Sequence, residues 1–259
     1  MTGKGIVAHE VTSSCAKSQD LPRTRLDVAL VAAGLAVTRH RAQLTIAGGR
    51  VSVNGVTAVK PSQPVSPQDE IAVDDDPWVS RAAHKLLGAL DDAQLAVPAR
   101  CLDAGASTGG FTQVLLSRGA QRVYAVDVGH GQLAPEVAGD ARVTAREGVN
   151  VKDLTLADLD GEPVDLAVAD LSFISLTLVL PALLPLVNGD ALLLVKPQFE
   201  VGKGKLSSSG VVRDERLRTK TVDGVVAAAA ELGWREVWRG TSRLPGAHGN
   251  IEYFLHLRA

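Results

Sequence analysis

Beyond residue 22 the chain changes from unpatterned polar sequence to periodic sequence. Leu26, Leu30 and Val31 recur on one helical face, and Gly34 ends the pattern, which predicts a first helix. Thr38 is placed to cap a second helix with Ala42 and Ile46 on its inner face, closed by Gly48-Gly49. Val51 and Val53 then alternate with polar residues ahead of Asn54-Gly55, a dipeptide suited to tight hairpins. A further strand over 70–73 follows a loop rich in proline and serine. The pattern predicts a small α+β domain over 23–73. Residues 1–22, rich in Ser, Thr and Lys and without periodicity, are expected to form a disordered tail. The acidic run Asp74-Asp75-Asp76-Pro77-Trp78 reads as a linker over 74–80.

From 81 to 259 the rhythm is longer. A helix runs from Ser80 to about Leu95, and apolar strands at 100–104, 122–127, 164–170 and 191–196 alternate with helices at 111–118, 176–184 and 217–232. Strands at 234–241 and 251–257 follow. Apolar strands joined through helices imply a largely parallel sheet covered on both faces. The expected fold class is therefore α/β, a Rossmann-like doubly wound sheet with ligands bound beyond the carboxyl ends of its strands.

Composition narrows the setting. Net charge over 259 residues is −2, yet residues 23–73 carry six basic side chains against three acidic ones. The small domain is thus the cationic one, suited to an anionic partner. Two cysteines, Cys15 and Cys101, give no disulfide framework and fit a reducing compartment. There is no apolar run of roughly 18 residues to span a bilayer and no apolar block of a signal peptide, so a cytoplasmic protein without membrane association is expected. No Cys/His spacing suggests a metal site.

The sharpest local signal is the string Leu102-Asp103-Ala104-Gly105-Ala106-Ser107-Thr108-Gly109-Gly110-Phe111, an apolar strand entering a glycine-rich turn and then a helix. Such a turn brings backbone close to a ligand. The dinucleotide fingerprint G-x-G-x-x-G is not matched, because the glycines stand at 105, 109 and 110. S-adenosylmethionine, which has no phosphates, fits better, with Asp127 placed about 20 residues on for a ribose diol. A nicotinamide enzyme stays open as the rival.

Four ionisable residues fall at informative places. Asp170 ends one strand, Lys196 ends the next, Glu252 opens the last, and Lys85 lies on the helix before the glycine turn. If the last strand runs antiparallel, all four can face one crevice. A ribose hydroxyl is a poor nucleophile at neutral pH and needs a base, a role Lys196 could take if its amine lost its proton. Asp170 would align that amine, and Glu252 would orient Lys85 or the ribose.

These residues resemble a known family. Segment 101–111 is similar to the cofactor motif of FtsJ-type ribose methyltransferases, and Lys85, Asp170, Lys196 and Glu252 match that group's Lys-Asp-Lys-Glu tetrad in order. The strings Ser80-Arg81-Ala82-Ala83-His84-Lys85, Asp170-Leu171-Ser172-Phe173 and Lys196-Pro197-Gln198-Phe199-Glu200 resemble the TlyA family of rRNA cytidine 2′-O-methyltransferases, also called haemolysins. Arg25-Leu26-Asp27, Gly49-Arg50-Val51 and Val53-Asn54-Gly55 resemble the S-four RNA-binding domain.

The resemblance implies S-adenosyl-L-methionine as cofactor, held by Asp103, Gly105, Ala106, Ser107, Thr108, Gly109, Gly110, Phe111, Asp127, Asn150 and Asp170. It implies ribosomal RNA, within ribosomal subunits, as partner, the large subunit first and the small one second. Arg23, Arg25, Arg39, Arg41, Arg81 and Lys203 are the expected phosphate contacts. Two further readings stay open: a non-catalytic RNA-binding or assembly factor, and a membrane-active haemolysin.

Overall fold

A computed structural model describes residues 23–36, 38–74, 76–202, 210–246 and 249–259. The tail expected at 1–22, and Lys203, lie outside the described residues. Compact packing divides the chain into two units between Arg81 and Ala82.

The first unit opens with β1 (Thr24–Arg25), which leads directly into α1 (Leu26–Ala32). The second helix, α2 (Arg39–Ala47), is capped as expected, the Thr38 hydroxyl accepting the Arg41 N–H at 3.1 Å. β2 (Val51–Val53) turns into β3 (Val56–Thr57) through Asn54 and Gly55, both at positive φ as the hairpin demands. β4 (Pro64–Val65) pairs antiparallel with β1, a two-strand contact not expected from the pattern, and β5 (Ile71–Val73) pairs with β2. Leu26, Leu30, Ala42 and Ile46 meet Val51 and Val65 in a fully enclosed apolar centre. Each of the leucine, isoleucine and valine side chains contributes about 1.5–3 kcal/mol. One carboxylate shares their burial. Asp27 is wholly enclosed and accepts hydrogen bonds from Arg25, from Arg39 at 2.9 Å and from Gln43 at 2.9 Å.

The second unit begins with α3 (Ala82–Asp92), shorter than expected. Then come β6 (Arg100–Ala104), α4 (Gly110–Ser117), β7 (Arg122–Asp127), α5 (Pro135–Ala138), β8 (Val143–Glu147) and β9 (Val164–Ala169). α6 (Leu180–Leu183), β10 (Val187–Val195), α7 (Pro197–Glu200), α8 (Glu215–Glu231), β11 (Arg235–Thr241) and β12 (Tyr253–Arg258) follow. The seven strands lie in the order β11-β12-β10-β9-β6-β7-β8. Strands β8, β7, β6, β9 and β10 are mutually parallel, and β12 runs antiparallel to both β10 and β11.

The centre of the sheet is as apolar as its burial requires: Leu166, Ala167, Leu192 and Leu193 are fully enclosed. Phe111 of α4 stacks on Phe254 of β12, ring centroids 6.2 Å apart, while Val222, Val225 and Ala229 of α8 join the core that includes Leu255 and Leu257. The helix expected over 176–184 is instead a 3₁₀ turn, the short α6 and another 3₁₀ turn, because Pro181 and Pro185 remove backbone donors. Among the described residues, no helix is long and apolar enough to cross a membrane.

Candidate active site

The strand order reverses at β6 and β9, and the glycine turn sits there. Asp170 N donates to Ala104 O at 3.0 Å, stitching the two strand tips together. The approach requires a glycine next: a Cβ on Gly105, which has φ 88°, would stand 2.6 Å from the Asp170 carbonyl oxygen. The turn continues through Ser107, whose N–H donates to Asp127 Oδ2 at 2.8 Å, while Asp127 Oδ1 takes the Gly129 N–H at 2.7 Å. The Asp127 carboxylate at the end of β7 is thereby fixed by backbone, with lone pairs left for a diol.

A cavity of about 570 Å³ opens beside this turn. Of the residues expected to hold the cofactor, Gly105, Ser107, Asp127, Asn150 and Asp170 line it. Ala106, Thr108, Gly110 and Phe111 are buried around the turn, and Gly109 caps α4 at φ 94°. They shape the wall from behind, Phe111 with its ring in the core. Gln132, Val151 and Phe173 also line the cavity. Sequence reasoning missed Gln132, because the segment after Asp127 has no periodicity to place it.

Asp103 lies behind the turn and is fully buried. Its Oδ2 accepts the Thr112 hydroxyl at 2.7 Å, and its Oδ1 has no hydrogen-bond partner. Burial pushes this carboxyl up to about 7, the Thr112 hydrogen bond opposing and the charges of Asp170 and Asp127 adding.

The tetrad forms two ion pairs. Lys196 Nζ stands 2.5 Å from Asp170 Oδ1 and donates to Ser172 Oγ at 2.9 Å. Lys85 Nζ donates to Glu252 Oε2 at 2.7 Å. All four side chains are largely enclosed, between 3% and 18% exposed. Their backbones meet at one edge of the sheet: Leu193 pairs with Ala169, and Val195 with Tyr253, so Asp170, Lys196 and Glu252 each stand one step beyond a strand contact. Glu252 precedes β12 instead of opening it, and its side chain occupies the space a Cβ at Gly246 would need.

The supporting contacts of Asn250 and Glu200 were not read from the sequence. Asn250 is buried, accepts the Val212 N–H and donates to Gly210 O, each at 3.2 Å, tying 210–212 to the segment that carries Glu252. Glu200 accepts from Ser175 Oγ at 2.5 Å and from Leu176 N at 2.8 Å. Burial raises the Glu200 carboxyl above its usual range while those bonds oppose the rise. Among the described residues, no cluster of His, Cys, Asp and Glu is arranged to hold a metal ion.

In the first unit, Arg25 and Arg39 are engaged by Asp27 with 45% and 55% of their side chains exposed. Arg23 and Arg41 are respectively exposed and half-buried. The Arg81 side chain lies where a Cβ on Gly49 would stand.

The sheet order and the glycine turn are those of a methyltransferase, and the family comparison agrees. Residues 78–259 match the FtsJ-like methyltransferase family and residues 24–71 match the S4 domain. The 16S/23S rRNA (cytidine-2′-O)-methyltransferase TlyA of Mycobacterium tuberculosis is 52% identical over 91% of this chain and 90% of its own. Hemolysin A of Brachyspira hyodysenteriae is 39% identical over 90% of this chain and 98% of its own. The solved structure of a Streptococcus thermophilus protein named as a hemolysin superposes with a TM-score of 0.71 at 37% identity, covering 92% of this chain and 89% of that one. The chain belongs to the TlyA family of FtsJ-like methyltransferases.

Proposed function

We propose that the protein transfers a methyl group from S-adenosylmethionine to the 2′-hydroxyl of a cytidine in ribosomal RNA, with its S4 domain holding the RNA. The observation that carries the reading is the enclosed Lys196–Asp170 pair at the tip of β10, beside a cavity lined by Gly105 and Asp127.

The residues suit this cofactor. The Gly105 turn admits a ligand against bare backbone, Asp127 offers acceptors to a ribose diol, and Gln132 and Asn150 offer polar groups to an adenine. When bound there, the cofactor supplies an electrophilic methyl on a sulfonium. Lys196, ion-paired with Asp170 and donating to Ser172, keeps a donor for the ribose hydroxyl and points it into line. In its neutral form the same amine accepts the hydroxyl proton as the new C–O bond forms. Asp170 fixes that amine in place. Lys85, neutralised by Glu252, sets the local charge. Phe173, 91% exposed beside the pair, offers a face for a nucleobase. Arg23, Arg41 and the outer donors of Arg25 and Arg39 supply phosphate contacts from the small domain.

The test is single-turnover methyl transfer to ribosomal subunits, with modified riboses located by their resistance to alkaline cleavage. Lys196→Ala is expected to lower the rate by about 10²–10⁴-fold, the usual worth of a positioned base. A wild-type rate in that variant, or methylation on a base instead of a ribose, would refute the proposal.

A further inference from the structure

Two loops at the carboxyl edge of the sheet carry the reacting pair. One runs from Asp170 to Leu176 after β9, and the other is the single turn α7 after Lys196. They touch at two corners. At the first, Lys196 meets Asp170 and Ser172. At the second, Glu200 takes the Ser175 hydroxyl on Oε2 and the Leu176 N–H on Oε1. Between the corners Phe173 lies against Phe199, ring centroids 5.2 Å apart.

Phe173 is the odd member. Its φ is 66°, a left-handed conformation costly for a bulky residue, and its side chain is almost wholly exposed. Such a backbone costs on the order of 1–3 kcal/mol and persists only where surrounding contacts over-determine it. Its own ring contact is partial and solvated. The near end is also fixed by the Asp170 N–H on Ala104 O and by Leu171 against the core, and at the far end, beyond Phe173, Ile174 packs on the core while Glu200 supplies the side-chain anchor.

We infer that Glu200 is a positioning residue for methyl transfer: by clamping Ser175 and Leu176 to α7 it holds Phe173 in its strained conformation and sets Asp170 opposite Lys196. The inference rests on the proposed ribose methylation for its rate effect, but its structural half does not. Glu200 touches neither the cofactor cavity nor the lysine amine. It acts at the far end of a seven-residue loop whose near end is Asp170. Loss of the clamp lets the loop relax and displaces the carboxylate, and a displacement of about 1 Å costs on the order of 10²-fold in rate.

The variants are Glu200→Ala and Glu200→Gln in the full chain. The glutamine can still accept from Leu176 N and can donate to Ser175 Oγ, so it should restore what the alanine loses. Amide exchange over 170–178 is read without RNA. It should quicken at least about tenfold in the alanine variant and stay within about threefold of wild type in the glutamine variant. Single-turnover rates at saturating cofactor and RNA should fall about ten- to hundredfold for alanine and recover for glutamine. The inference is overturned by unchanged exchange over 170–178 in the alanine variant or by an unchanged rate despite quickened exchange. It is equally overturned by a glutamine variant as impaired as the alanine, or by loss of protection spread evenly over the unit. A wild-type protein that methylates no ribose would sink the proposed function, while the exchange comparison would still decide whether Glu200 holds the loop.

Discussion

Among the described residues each unit buries one aspartate completely, and the two are treated in opposite ways. Asp27 in the small domain is surrounded by donors from Arg25, Arg39 and Gln43, which hold its carboxyl well below the usual carboxylate range. Asp103 under the glycine turn has Thr112 alone to donate to it, one oxygen without a hydrogen-bond partner, and two further carboxylates nearby. The first arrangement is finished within the fold, as buried charge must be when its purpose is architectural. The second keeps a buried carboxyl near two other carboxylates, at a cost to the fold that its neighbour Thr112 only partly offsets.

The contrast can be broken by substitution. The largest effect is expected at Asp27→Asn, which leaves two guanidinium groups facing an amide and should cost about 3–5 kcal/mol. Urea unfolding with amide exchange read over 26–47 would measure it. The sign follows from a depressed folded pKa. Asp27 stabilises above its ordinary range near 4, and that contribution drains away as pH falls toward its folded value. A small domain equally stable in both forms at pH 7 would mean that the donors are not compensating a charge.

Asp103→Asn should act in the other direction by roughly 4 kcal/mol at most. A raised folded pKa means that the native state binds the proton more tightly than the unfolded chain. The wild-type penalty therefore grows as pH rises from about 4 and is complete above about 7. The variant should match wild type near pH 4 and exceed it in stability at pH 8. Equal curves across that range would dissolve the contrast. The smallest effect belongs to Thr112→Val, which removes the hydroxyl donor and should cost about 1–3 kcal/mol at pH 8, measured by the same unfolding curves.

The strongest sequence signals were those made by continuous burial. β6, β7 and β9 lie within a residue of their expected spans because each is an apolar run enclosed on both faces. β8 was not expected: it is the edge strand, and Val143-Thr144-Ala145-Arg146-Glu147 is half-exposed and short of apolar residues. β10 begins earlier than expected because Asn188-Gly189-Asp190 reads as a turn, whereas Gly189 in fact lets the strand pass close to the Asp165 carbonyl. In the site, Asp170 and Lys196 stood out because each puts a charge directly after an unbroken apolar run, at the edge where a parallel sheet binds its ligands. Glu200 and Asn250 did not. Their partners lie 24 and 38 residues away, and neither local spacing nor periodicity can announce a hydrogen bond made across the fold.

The place of β12 between β10 and β11 has a consequence for synthesis. In the seven-stranded sheet β6 to β10 can be laid down in the order they leave the ribosome, but β11 has no partner and the edge of β10 stays open until the segment beginning at Glu252 arrives. Until that segment arrives, Lys85 lacks the carboxylate it leans on, and two strand edges stand bare. A nascent chain therefore holds Lys85 unpaired at the sheet edge until β12 fills its place between β10 and β11.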